Sequence, residues 1–150
     1  MRIWIDADAC PNPVKEIVFR ASKRLGVPVT LVANSPLRTP PSRLIKVVQV
    51  SSGFDAADHY LLHHARVADL VITADIPLAA DLVERGVPAL NPRGELYTVD
   101  NISERLAVRN LMEQVRSSGT FGGGPAPYTE RDKQAFANSL DRWLVKSRSG

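Results

Sequence analysis

Apolar positions along the chain follow two alternating rhythms. Short β-rich runs at Arg2 to Ile5, Pro28 to Ala33, Lys46 to Val50, Leu70 to Thr73 and Pro88 to Leu90 predict five strands. Leu70 to Thr73 is almost wholly apolar, as a strand buried on both faces should be. Between the strands the apolar spacing is helical. Val14, Ile17, Val18, Ala21 and Leu25 predict a helix with Asn12 as its N-cap, Pro13 in the first turn and Gly26 at its end. Asp55 to Ala68 and Ile76 to Arg85 predict two more, the second stopped by Gly86. Asn101-x-x-Glu104 resembles a capping box opening a helix to about Arg116, and Thr129-x-x-Asp132 opens a last helix to about Lys146. Strands alternating with helices are the sequence form of βαβ units. The predicted fold class is therefore α/β: a three-layer α/β/α sandwich around a mostly parallel sheet of about five strands.

Two stretches punctuate this pattern. Ser35 to Ser42 holds three prolines in eight residues and must be an irregular loop. Gly119 to Pro127 is a glycine-rich connection, which divides a single domain over 1–150 into an α/β core (1–118) and a C-terminal helical arm (119–150).

Composition narrows the class. With 150 residues, 44% hydrophobic and 23% charged, the chain has the make-up of one globular domain, and disorder throughout is excluded. No apolar run reaches the roughly 18 to 20 residues of a membrane span, and the first residues lack the apolar core of a secretory signal. A single cysteine, Cys10, forbids an internal disulfide, so the expected compartment is the reducing cytoplasm. Charge is unevenly spread. Through Asp100 the 11 Lys and Arg balance 11 Asp and Glu, whereas from Asn101 onward 8 face 5 and supply the net +3. In that last third Arg105, Arg109, Met112 and Arg116 recur at helical spacing, and the flexible backbone of Ser117 to Gly124 follows. Such a stripe, extended by Arg38 and Arg43 of the proline loop, suits the phosphates of single-stranded RNA; a solvated helix face explains it equally.

The aspartates are placed more tellingly. Asp6 and Asp8 follow the first strand, Asp55 follows the third, Asp75 follows the fourth, and Asp58 lies one helical turn beyond Asp55. Ligands of open α/β sheets bind outside the carboxyl ends of the strands, where the strand order reverses. If the first and fourth strands are neighbours there, these acids converge. Several carboxylates in a small volume repel, and Mg²⁺ or Mn²⁺, which takes oxygen ligands, relieves that repulsion. An Asp cluster of this kind is the chemistry of phosphodiester hydrolysis. Each residue also has a purely structural reading: Asp75 and Asp55 as helix caps, Asp6 and Asp8 as turn residues. Asp69 and Asp81 read as helix-end and surface positions. His59 and His63 stand four apart but have no third zinc ligand nearby in sequence. Cys10, beside two acids that raise a thiol pKa, reads as a packing residue.

The runs I-D-A-D-A-C-P-N, L-V-A-N-S-P-L-R-T-P-P-S-R, G-F-D-A-A-D, D-L-V-I-T-A-D-I-P-L-A-A and L-N-P-R-G-E-L-Y-T resemble the bacterial YaiI/YqxD family. So do Arg109, Arg116 and Gly119, Gly123 to Pro125, and Arg131 to Phe136. The resemblance implies a PIN-like fold, that of α/β/α nucleases that hold Mg²⁺ or Mn²⁺ with acids at the strand ends. It matches Asp6 to the first-strand acid, Asp75 to the fourth-strand acid and Asp55 or Asp58 to the middle one, with Asp8 assisting. The expected function is a divalent-metal-dependent nuclease with Asp6, Asp8 and Asp75 catalytic and Asp6, Asp55, Asp58 and Asp75 around the metal. The alternatives are a non-catalytic RNA- or protein-binding module, or a phosphatase in which Asp6 is the nucleophile.

Overall fold

The structure is a computed structural model that describes residues 1–53, 55–119 and 126–149. Its strands are β1 (Ile3–Asp6), β2 (Val29–Ala33), β3 (Ile45–Gln49), β4 (Leu70–Ile72), β5 (Ala89–Leu90) and β6 (Leu96–Tyr97). Its helices are α1 (Asn12–Leu25), α2 (Ala56–His64), α3 (Ile76–Glu84), α4 (Val99–Ser117) and α5 (Glu130–Ser149), with a 3-10 turn at Ala7–Ala9 after β1. The six strands form one sheet in the order β3-β2-β1-β4-β5-β6. The first five run parallel and β6 runs antiparallel to β5. The α/β class and its parallel sheet are as expected, with β6 added at the edge.

Strand alternation assigns the layers. On one face Ile3, Ile5, Leu31 and Ile72 pack with Val14 and Val18 of α1 and with Phe136, Leu140 and Leu144 of α5. On the other, Trp4, Val32 and Val71 pack with Leu61 of α2, Leu78 and Leu82 of α3 and Ile102 of α4. The C-terminal helix thus belongs to the core, since Phe136 and Leu140 are wholly buried. Gly94 records how closely it docks. Its φ is 93°, and a Cβ there would lie 2.6 Å from the carbonyl oxygen of Ala135. The β5–β6 hairpin therefore admits only glycine at that turn.

Element boundaries follow local chemistry. The last helix opens as expected: Thr129 N–H donates to Asp132 Oδ2 (2.9 Å) and Asp132 N–H to Thr129 Oγ1 (3.2 Å). Gly26 ends α1 in the left-handed region (φ 69°). Three expectations are corrected. Pro11, not Asn12, is the N-cap of α1. The box opening α4 sits one turn earlier, with Thr98 as the cap and Asn101 in the third helical position, so Asn101 returns the bond rather than starting it. Finally, α2 stops at His64 instead of Ala68, because the chain turns back there and Asp69 accepts the N–H of Arg66 (3.0 Å).

The chain winds from β1 outward to β3, then returns to place β4 on the other side of β1. The carboxyl ends of β1 and β4 consequently flank a crevice at the point of reversal.

Candidate functional site

That crevice is where the aspartates gather. Asp6, Asp8, Asp55, Asp58 and Asp75 all line one pocket of about 370 Å³, beside Asn34 and Ser52. They come from the end of β1, the turn after it, the loop into α2, the first turn of α2 and the N-cap of α3, just beyond β4. Among the described residues no lysine or arginine lines it.

Each acid is held by its local structure. Asp6 is the last residue of β1 and only 5% exposed. Its Oδ2 accepts the hydroxyl of the fully buried Thr73 at 2.8 Å, and the same Thr73 oxygen accepts the Asp75 N–H at 3.0 Å. One hydroxyl therefore ties the ends of β1 and β4 together. Asp75 Oδ1 accepts the Leu78 N–H at 3.1 Å and so caps α3, which makes the structural reading and the pocket reading both true of this residue. Asp8, in the 3-10 turn, accepts the Asn34 N–H at 2.8 Å and anchors the loop leaving β2. Asp55 holds the cap position of α2 without a capping bond, and its φ of 62° makes it the one non-glycine residue with positive φ among the described residues. Aspartate tolerates that left-handed backbone better than most residues.

The crowding shows in the acidities. Burial first, then Asp75 and Asp8, raise the Asp6 carboxyl above the ordinary aspartate value, against the lowering bond from Thr73. Asp58 is pushed up to about 6 by its own burial, then by Asp75, Asp6 and Asp55, with His59 opposing. Asp58 thus stands within the field of Asp75, Asp6 and Asp55 together.

The donors are all carboxylate oxygens without a neutralising cation, the chemistry of a hard divalent ion. Among the described residues, however, no three acidic, histidine or cysteine side chains stand close enough to grip one ion directly. The set fits an ion that keeps most of its water and takes one or two carboxylates, as Mg²⁺ commonly does.

The remaining candidates fall elsewhere. Cys10 lies in the core and donates its thiol to the Ile72 carbonyl at 3.7 Å; burial, more than Asp6, drives its pKa up. His59 and His63 are exposed on α2, and Asp81 is exposed on α3. Asp69 is a correction: it is buried, not a surface residue, and accepts three N–H groups, from the Arg2 backbone, the Arg66 backbone and the Trp4 indole, each at 3.0 Å. Arg105, Arg109 and Arg116 share one face of α4, but two of them face acids. Arg105 is clamped by Glu95 through three contacts of 2.6–2.9 Å, and Arg109 faces Glu113 at 3.8 Å. Arg116 is exposed near the end of α4, in the layer with α3. Arg38 and Arg43 are exposed in a loop whose Leu37 packs against the core of the opposite face. The glycine-rich connection expected to approach a phosphate chain lies mostly outside the described residues, at 120–125.

Fold and pocket together define an open α/β protein with an acidic crevice at its switch point. The chain belongs to the family described as "Uncharacterized BCR, YaiI/YqxD family", which matches residues 4–146. It is 61% identical over 145 residues to a UPF0178 protein of Shewanella sp. (strain MR-7), covering 97% of this chain and 95% of that one. A UPF0178 protein of Psychromonas ingrahamii is 59% identical over 148 residues (99% and 98%), and one of Yersinia pestis (strain Pestoides F) is 58% identical over 149 (99% and 98%). No solved structure is significantly similar to the chain. No helix among the described residues is long and apolar enough to cross a membrane.

Proposed function

We propose that the chain is a divalent-metal-dependent nuclease of PIN-like type that hydrolyses phosphodiesters of single-stranded RNA. The observation that carries this reading is the convergence of Asp6, Asp58 and Asp75, from three separate segments, on one pocket where, beyond burial, Asp75 raises the pKa of Asp6 and both Asp75 and Asp6 raise that of Asp58. One or two of Asp6, Asp75 and Asp58 would hold Mg²⁺ or Mn²⁺ directly and the rest through its bound water, with Asp55 at the rim. Such an ion, when bound, supplies positive charge for the attacking and leaving oxygens of the ester. The chain's own groups do the positioning. Thr73 fixes the Asp6 and Asp75 ends of the site, and the Asn34 N–H orients Asp8 beside them.

The test is cleavage of labelled single-stranded RNA by the purified protein with Mn²⁺, against EDTA. Asp6→Asn and Asp75→Asn should each lower the rate by about 100-fold or more, the scale of losing one electrostatic partner of a transition state. Cleavage surviving both substitutions removes these residues from the mechanism. The lack of three directly converging ligands favours a second reading, a binding module without turnover. Under that reading the wild-type protein retains RNA but releases no product.

A further inference from the structure

A cavity larger than the acidic crevice opens elsewhere on the molecule. It lies at the other end of α2, over the amino ends of β1, β2 and β3, and has a volume of about 580 Å³. Its lining includes Arg2, Lys46 and Arg66 with Trp4, Tyr60 and His64. These residues come from the start of β1, from β3, from α2 and from the turn before β4, so only the fold collects them.

The charge is positive and available. Asp69, the acid in the lining, spends Oδ1 on the Arg2 backbone N–H and Oδ2 on the Trp4 indole and the Arg66 backbone N–H. The Arg2 guanidinium donates instead to Thr30 Oγ1 at 2.8 Å and sits 5.7 Å from the Trp4 ring centroid. The ion pairs among the described residues involve none of Arg2, Lys46 and Arg66. Beside the cations stands a prepared aromatic stack. Tyr60 and His64 lie face to face at 3.9 Å and 17°, and the Nδ1 of His64 meets the Tyr60 carbonyl at 2.9 Å, which fixes the ring. Trp4 closes the stack edge-on to Tyr60 at 6.2 Å.

From this geometry we infer that the cavity is a nucleotide-binding site: Lys46, Arg66 and Arg2 take the phosphate, and the Tyr60–His64 stack takes the base. The size supports it, since about 580 Å³ falls in the range of organic-ligand pockets and far exceeds a bare phosphate. So does the pairing of a cation fork with a planar stack, the combination by which proteins hold single nucleotides without reading their sequence. The nucleotide is either free or one unit of a single strand. His64 is six residues beyond Asp58, about 9 Å along the helix axis, so a strand seated here would have the acidic crevice within reach. The inference does not rest on catalysis.

The test measures binding in EDTA, so that hydrolysis plays no part. In a Trp143→Phe background Trp4 is the sole tryptophan and reports from the cavity. Adenosine monophosphate and an oligoadenylate RNA are titrated separately. Quenching of Trp4 is expected with at least one of them. Equal affinity for both identifies a free mononucleotide site, and tighter binding of the oligomer identifies a strand site. Lys46→Glu with Arg66→Glu should weaken binding about tenfold or more, and salt should weaken it in the wild type. Both side chains are exposed, so the fold is retained, which circular dichroism checks. Tyr60→Leu should weaken binding by about tenfold through lost stacking. No quenching by either ligand at millimolar concentration overturns the inference, as does a charge-reversed protein that binds like the wild type. Asp6→Asn, which tests the nuclease reading, leaves this binding unchanged, so the two ideas fail separately.

Discussion

The two ends of α2 face opposite electrostatic worlds. At its N-terminal end five aspartates line a pocket without a lysine or arginine, and burial first, then the crowding, raises the Asp6 and Asp58 carboxyls. At its C-terminal end a larger cavity holds three cations and one aspartate, Asp69. What differs is the supply of N–H donors. Asp69 receives three, enough to replace the water it lost on burial. Asp58 receives none among the bonds of the described residues and keeps its mutual repulsion. An acid that is fully satisfied serves the fold, whereas acids left crowded and unpaired are what functional sites display.

This contrast can be broken by substitution. The largest effect belongs to Asp69→Ala, which strands the Trp4 indole N–H and two backbone N–H groups at a buried edge; denaturant unfolding should show a loss of about 3 kcal/mol. A loss below about 1 kcal/mol would mean that water replaces the carboxylate and that the contrast is false.

Asp58→Asn should go the other way. A carboxyl raised to about 6 is harder to ionise in the folded chain than in the unfolded one, so above pH 6 it costs stability. In EDTA at pH 7 the substitution should stabilise by about 1 kcal/mol, a figure already reduced for the solvent that reaches this half-buried group. The gain should shrink as pH falls from 6 towards 4 and vanish below the ordinary aspartate value of 3.8, where the carboxyl is neutral in both states. Burial sets it first, then Asp75, Asp6 and Asp55, with His59 opposing. Mn²⁺ should raise the melting temperature of the wild type at pH 7 and do so less in this variant, by mass action. A melting curve indifferent to Mn²⁺ would break the metal half of the comparison.

The smallest effect is expected from Arg105→Gln. Its partner Glu95 already occupies it at the surface, so RNA cleavage should not change. A fall in cleavage would place Arg105 on the nucleic-acid surface.

Sequence reasoning reached one of these two regions and missed the other. The acidic crevice was legible because each acid directly follows an apolar run or opens a helix, and a parallel sheet brings such positions to one edge. The cationic cavity left no comparable trace. Arg2 precedes a strand, Lys46 looks like the polar half of an edge strand, and Arg66 falls in what reads as the end of a long helix. The nearest signal was the odd basic residue at Arg2 beside Trp4, followed by a second strand carrying Thr30 on the same face. Asp69 was misread for a related reason: a carboxylate's donors come from residues 67 and 65 positions away, which no local pattern announces.

The chain by itself determined the alternation of strands and helices, the parallel sheet and the acids at the strand ends, because periodicity, caps and turns are local and each residue carries its own share. Only the tertiary structure decided that β4 returns beside β1, that one Thr73 hydroxyl joins Asp6 to Asp75, that Arg105 is taken by Glu95, and that the far end of α2 opens onto a basic, aromatic hollow. Those outcomes depend on contacts between segments tens of residues apart, whose energies exist only once the layers have packed.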